Sequence, residues 1–237
     1  RVTIFYVDLD NFKTVNDVYG HNVGDNVLRS VAHLFACHPD IAFAARMGGD
    51  EFALVSTTIL QRVQTEHLME DLFANIRGLQ EAGEAFGVIT ISAGILLNVP
   101  IATELETLLN QGDAAMYEAK RQGKSSYVFY DDVEARMRVE HEMIEEVVSA
   151  LDEGRFEMMM HPVLDIATGE AVQTEVHFVW QFRNGKNCLA RQFRAVMERS
   201  GFIRSLDLRL FEQLCRKVAQ NRELINGMPR FSLIFSA

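Results

Sequence analysis

Arg46-Met47-Gly48-Gly49-Asp50-Glu51-Phe52, RMGGDEF, lies between two apolar runs, 41–45 and 52–55, that read as neighbouring strands. Gly48 and Gly49 predict a tight hairpin turn, because glycine takes positive φ without steric cost. The two carboxylates after the turn need a further reason. Adjacent like charges at a hairpin tip repel unless something positive sits against them. The tip is therefore read as a place that holds a cation, with a plain solvated polar turn as the alternative.

Working outward, residues 2–7 (VTIFYV) have the unbroken apolar pattern of a buried central strand, which ends in Asp8-Leu9-Asp10. Gly24-Asp25 opens a helical pattern carried by Val27, Leu28, Val31, Leu34 and Phe35. Residues 60–82 predict a second amphipathic helix, and 88–99 a long strand in which Gly94 marks a bulge or bend. Residues 105–121 predict a third helix closed by Gly123, and 127–130 a short final strand. The order strand-helix-strand-strand-helix-strand-helix-strand predicts an α+β layer, one sheet covered by helices. Residues 133–151 are charged, with apolar positions at helical intervals, and read as a connecting helix. A new segment follows, with strands in FEMMMHPVLDI and AVQTEVHFVW around a turn at Thr168-Gly169-Glu170, then helices from Ala190 and Leu206.

Composition narrows the class. The 237 residues are 48% hydrophobic and 24% charged, which suits one or two globular domains. A net charge of −10 argues against nucleic acid or anionic membrane as a partner of the whole surface. Cys37, Cys188 and Cys215 are far apart and form no CxxC pair, which suits a reducing cytoplasm and gives no zinc signal. The longest apolar stretch, 87–102, contains Asn98 and Pro100 and is too short to span a bilayer. The chain opens at Arg1 inside a strand-like run and is read as a piece of a longer protein. A cytoplasmic location therefore includes the cytoplasmic part of a membrane-anchored sensor.

Residues two apart on a strand share a face, so Asp8 and Asp10 point one way where the central strand ends. A hairpin paired beside that strand would bring Asp50 and Glu51 to them. Four gathered carboxylates call for a hard divalent cation, and Mg²⁺ takes carboxylate oxygens together with substrate phosphates.

The run DLDNFKTVNDVYGHNVGDNVL (8–28), followed by RMGGDEF, resembles the GGDEF domain, the diguanylate cyclase family, which joins two GTP molecules into cyclic di-GMP. DAAMYEAKRQGK (113–124) is similar to the family's final helix. The resemblance covers residues 1–131 and implies a palm-like central antiparallel sheet flanked by helices. It implies that Asp8, the Leu9 carbonyl, Asp50 and Glu51 hold Mg²⁺ (or Mn²⁺), and that Asp50 and Glu51 form the catalytic centre, Glu51 as a second ligand or as activator of the attacking 3′-hydroxyl. The amides of Asn11 and Phe12, with Lys13 nearby, would face the phosphates, and Gly48 and Gly49 would let nucleotide lie against the backbone. Asn16 and Asp25 would bind guanine, and Lys120 and Lys124 the triphosphate. Several have simpler readings beside these: an Asx turn for Asn16, a favourable helix-dipole position for Asp25, Lys120 and Lys124, and loop support for His21. Lys124 stands where the family usually has Arg, which exchanges a bidentate fork for a point charge. Pro39 and Ala42 stand where the family's product-inhibition motif has Arg and Asp, so that feedback site is read as absent. The family's leading helix and turn precede Arg1 and are read as truncated.

FEMMMHPVLDIATGEAVQTEVHFVW (156–180) is similar to the opening of an EAL domain, the cyclic di-GMP phosphodiesterase family, a TIM-type barrel of which this chain would hold less than half. Glu175, a metal ligand in that family, is retained. The ligand-contacting Arg is Val179, the ligand-contacting Gln is His161, and the metal-binding Asn aligns with Ile234. The name-giving triplet reads Glu175-Val176-His177, and His161 and His177 are read as structural.

The chain is thus read as residues 1–131 GGDEF, 132–154 connecting helix and 155–237 the start of a degenerate EAL-like domain. The expected activity is a diguanylate cyclase working as a homodimer on GTP, with an inactive EAL-like segment open to a protein partner. The alternative is a non-catalytic GTP or cyclic di-GMP sensor.

Overall fold

The computed structural model describes residues 1–81, 83, 86–181, 187–221 and 230–233. It divides into two compact units, 1–136 and 137–237. The division falls inside one continuous helix that starts at Tyr130.

In the first unit the elements run β1 (Val2–Asp10), α1 (Phe12–Tyr19), α2 (His21–Ala36), β2 (Phe43–Gly48), β3 (Glu51–Ser56), α3 (Arg62–Gln80), β4 (Thr90–Val99), α4 (Leu105–Arg121), β5 (Tyr127–Phe129) and α5 (Tyr130–Asp152). The sheet order is β2-β3-β1-β4-β5. β1 lies in the middle, antiparallel to β3 and β4, and Phe5, Val7 and Leu9 are fully buried as its apolar run requires. The sheet is α+β as expected, with one departure from antiparallel pairing: β5 runs parallel to β4. A parallel neighbour needs a crossover, and α4 supplies it.

Two local readings change. The first predicted helix is α2, which starts at His21 rather than at Gly24, and an unpredicted helix, α1, precedes it, set off by Gly20 at φ 85°. Gly94 is no bulge. A Cβ there would lie 2.3 Å from the Gly112 carbonyl oxygen and 2.5 Å from the Met116 nitrogen, so glycine is what lets α4 lie directly on β4. The β1–β4 register shift instead falls between Val2 and Ile4.

The second unit contains the rest of α5, then β6 (Phe156–Leu164), β7 (Ala171–Gln181), β8 (Asn187–Leu189), α6 (Ala190–Arg199), α7 (Ile203–Gln220) and β9 (Arg230–Leu233). β6, β7 and β8 pair antiparallel in that order, and β9 lies parallel to β7. Its core gathers Val147, Phe156, Val176, Phe178, Trp180, Leu206 and Leu210, with Phe156 and Trp180 stacked 6.3 Å apart. Among the described residues, no helix is long and apolar enough to cross a membrane.

Candidate functional site

The hairpin forms, shifted by one residue from its sequence reading. Gly48 pairs with Glu51, so the two turn residues are Gly49 and Asp50, and only Gly49 has positive φ, 53°. The register slips between Arg46 and Gly48, leaving Met47 as an extra residue in β2. Arg46 Nε donates to the Gly49 carbonyl at 2.9 Å and ties the turn back to its own strand.

Pairing of β3 with β1 sets Glu51 directly across from Asp8, and the Leu9 amide donates to the Asp50 carbonyl at 3.1 Å. Asp8 is buried, with Lys120 Nζ of α4 2.8 Å from its Oδ2. Burial raises the Asp8 carboxyl above its ordinary range, the negative charges of Asp50 and Asp10 raise it further, and Lys120 opposes them. Glu51 is raised in the same way, by burial and then by Asp8 and Asp50. The tip therefore carries more negative charge than Lys120 offsets, and hard oxygen donors in excess fit a divalent cation. Among the described residues, no three acidic, histidine or cysteine side chains already converge on a metal position.

Asp10 has another task. Its carboxylate accepts from Thr90 Oγ1 at 2.8 Å, Ser92 Oγ at 2.9 Å and the Ser125 amide at 3.1 Å. It faces the same way as Asp8 but is spent on the protein, so the gathered set is Asp8, Asp50 and Glu51 rather than four. The Ser125 bond folds back the chain after α4, where Gly123, Lys124 and Ser125 all have positive φ. That bend brings Lys124 Nζ to 3.1 Å from Asn11 Oδ1.

Asn11 makes the turn from β1 into α1 at φ 64°, a left-handed position asparagine tolerates. Its Nδ2 donates to the Val88 carbonyl at 3.0 Å. The first turn of α1 then presents the N–H groups of Phe12 and Lys13, an electropositive end suited to phosphate, with the Lys13 side chain exposed. Further along α1, Asn16 faces α2: a Cβ on Gly24 would lie 2.0 Å from Asn16 Oδ1. Gly24 thus holds open the space beside Asn16, and the exposed Asp25 follows it on α2.

The structure adds a residue that the sequence reading does not include. Tyr6 stands two positions before Asp8 on the same face, and its phenol is raised by burial and then by the charges of Glu51 and Asp113, with a hydrogen bond to Glu51. Strand alternation is the signal that points to it. On β7, Glu175 is directly across from His161, and Val179 is buried. Ile234 lies outside the described residues.

With this geometry, comparison with known proteins is specific. Residues 1–126 match the model of the diguanylate cyclase GGDEF domain, and 144–237 that of the EAL domain. The bifunctional diguanylate cyclase/cyclic di-GMP phosphodiesterase MucR of Pseudomonas aeruginosa is 27% identical over 92% of this chain and 32% of its own length. The diguanylate cyclase VdcA of Vibrio cholerae is 33% identical over 53% of this chain and 38% of its own. The crystal structure of the GGDEF domain of DgcB from Caulobacter crescentus, in complex with c-di-GMP, is 30% identical and covers 55% of this chain and 78% of that one, at a TM-score of 0.47. The chain spans about a third of the length of the curated relatives it matches. It belongs to the GGDEF, diguanylate cyclase, family, with an EAL domain following the GGDEF domain.

Proposed function

We propose that residues 1–131 form a diguanylate cyclase half-site, that 132–154 connect it, and that the EAL-like segment from 155 is regulatory rather than hydrolytic. The observation that carries this reading is the hairpin tip, where Asp8, Asp50 and Glu51 are gathered beside Lys120 at the end of β1. A bound Mg²⁺ would be held by Asp8, the Leu9 carbonyl, Asp50 and Glu51, and would neutralise triphosphate charge. The chain's own groups bind and orient. The α1 N-terminus, Lys13 and Lys124 receive phosphates, and Lys120 meets them from α4. Asn16 and Asp25 bind the guanine edge, and the bare backbone of Gly48 and Gly49 lets nucleotide approach. Glu51, its carboxyl raised by burial and neighbouring charge, takes the proton of the 3′-hydroxyl that attacks the α-phosphorus as pyrophosphate leaves. One half-site holds one GTP, so two copies facing across a two-fold axis complete the reaction.

In the EAL-like segment, a buried Val179 offers no phosphate contact, which supports a non-hydrolytic role. Incubation of the protein with GTP and Mg²⁺, followed by nucleotide separation, tests the reading. Cyclic di-GMP is expected, and Asp50→Ala should abolish it while leaving the melting temperature within a few degrees. GTP bound without product would support the sensing alternative, and product from Asp50→Ala would overturn the metal assignment.

A further inference from the structure

The chain leaving α4 runs through a strained bend whose anchors lie on and beside β1. Gly123, Lys124 and Ser125 take φ of 118°, 65° and 46° in succession. Two of the three carry side chains, and such residues stay left-handed only where their surroundings fix them. Three contacts do so. The Ser125 amide donates to Asp10 Oδ2 at 3.1 Å, Lys124 Nζ donates to Asn11 Oδ1 at 3.1 Å, and the Ala93 amide donates to the Ser126 carbonyl at 3.0 Å. Asp10 is itself locked, only 2% exposed, with Thr90 Oγ1 donating to its Oδ2 at 2.8 Å and Ser92 Oγ to its Oδ1 at 2.9 Å. A carboxylate suits this task because it only accepts, and so can serve three donors at once. One buried side chain thereby ties β1 to β4 and to a bend 115 positions along the chain.

We propose that Asp10 is a positioning residue for nucleotide phosphate: by holding the Ser125 amide it keeps residues 123–125 in their left-handed course, and so keeps the Lys124 ammonium at the start of α1. Within the cyclase reading of residues 1–131, on which this rests, the first turn of α1 and Lys124 receive the phosphates. Lys124 is exposed, and a free lysine side chain gives up much rotamer freedom when a ligand orders it. The bend delivers the ammonium in advance, held on the Asn11 carboxamide oxygen. That neutral oxygen is the weaker partner, and a phosphate oxygen displaces it. The Asp10 oxygens are buried and occupied, so Asp10 acts through Lys124 rather than on substrate. The sign of its charge separates two effects. Removing a negative charge by itself favours phosphate, whereas losing the bend disfavours it.

The test is calorimetric titration of the 237-residue chain, with Mg²⁺ present, using a GTP analogue whose α–β bridge cannot be cleaved. Lys124→Ala should weaken binding at least roughly tenfold, the scale of a hydrogen bond to a charged group. Asp10→Ala should weaken it by a similar factor. The double variant should bind no more weakly than Lys124→Ala alone, because the two residues act as one unit. Asp10→Asn should stay within about twofold of wild type, since its carboxamide oxygen keeps the Ser125 amide while its NH₂ turns to Ser92 Oγ. Should Asp10→Ala fail to fold, Gly123→Ala, which forces a side chain into φ 118° where nothing lies against it, should give the same loss and the same dependence on Lys124. Binding by Asp10→Ala as tight as wild type or tighter would overturn the proposal and leave the cyclase reading standing, as would losses that add in the double variant. No binding by the wild type would overturn both together.

Discussion

At the scale of single residues, Asp8 and Asp10 show how two carboxylates of one motif part company. Both lie on the same face of β1, and strand alternation alone gives them the same role. Hydrogen bonding separates them. Asp8 faces Glu51 and Lys120, whereas Asp10 accepts from Thr90, Ser92 and Ser125. Asp10→Ala would strand these donors, at about 1–3 kcal/mol for each one left buried without an acceptor. Urea unfolding should therefore show a loss of at least roughly 2 kcal/mol for Asp10→Ala, while Asp50→Ala, which relieves repulsion with Asp8 and Glu51, should stay within about 0.5 kcal/mol of wild type. Equal stability of the two variants would remove the strut role of Asp10. The sequence could not reveal this difference, because Thr90, Ser92 and Ser125 lie some eighty to a hundred and fifteen residues away and only the fold brings them to Asp10.

At the scale of elements, long periodic segments were legible and chain reversals were not. The limits of α4 and the existence of α3, β4 and α5 follow from their apolar spacing. The short helix α1 was hidden, because its 8 residues bury only Phe12 and Val15, too few apolar positions to show a helical period. The role of Gly94 was hidden too, since a helix pressed on a strand leaves no local pattern. The first turns of α5 are fixed by ion pairs of the kind spacing does not announce. Arg62 stacks on Phe129, 4.1 Å from the ring centroid, and donates to Asp132 at 2.9 Å, while Arg136 NH1 reaches Glu118 Oε1 at 2.8 Å. The Arg136 hydrogen bond is the largest cause holding the Glu118 carboxyl below its usual range. A depressed carboxyl stabilises the fold above its unfolded value, about 4.3, and that contribution is lost as pH falls through the lower folded value. Arg136→Ala should thus cost about 1 kcal/mol at pH 7, a figure reduced for the partly exposed arginine. The gap from wild type should close as pH drops below about 4, which chemical unfolding between about pH 3 and 7 would measure. A gap that widens toward acid would contradict the assignment.

At the scale of the whole molecule, the proposed reaction needs two half-sites, so the rate per protein should depend on concentration. Specific activity of the cyclase should rise with protein concentration through the dimerisation range and then level off; a flat profile across dilution in which the protein is demonstrably monomeric would exclude the two-copy scheme. The second unit was less legible than the first. Its strands could be read from FEMMMHPVLDI and AVQTEVHFVW, but the parallel pairing of β9 with β7 and the gathering of His161 and His177 depend on a register that sequence does not print. The edge of the first sheet has a consequence for how the protein survives at high concentration. β2 is an edge strand and almost wholly exposed, with Phe43 67% accessible, which is the kind of rim along which chains add to one another and precipitate. The extra residue at Met47 interrupts the ladder and twists that rim away from a flat template. Deleting Met47 would regularise the strand, and light scattering on standing should then rise well above wild type if the irregularity beside the hairpin tip is what opposes edge-to-edge addition.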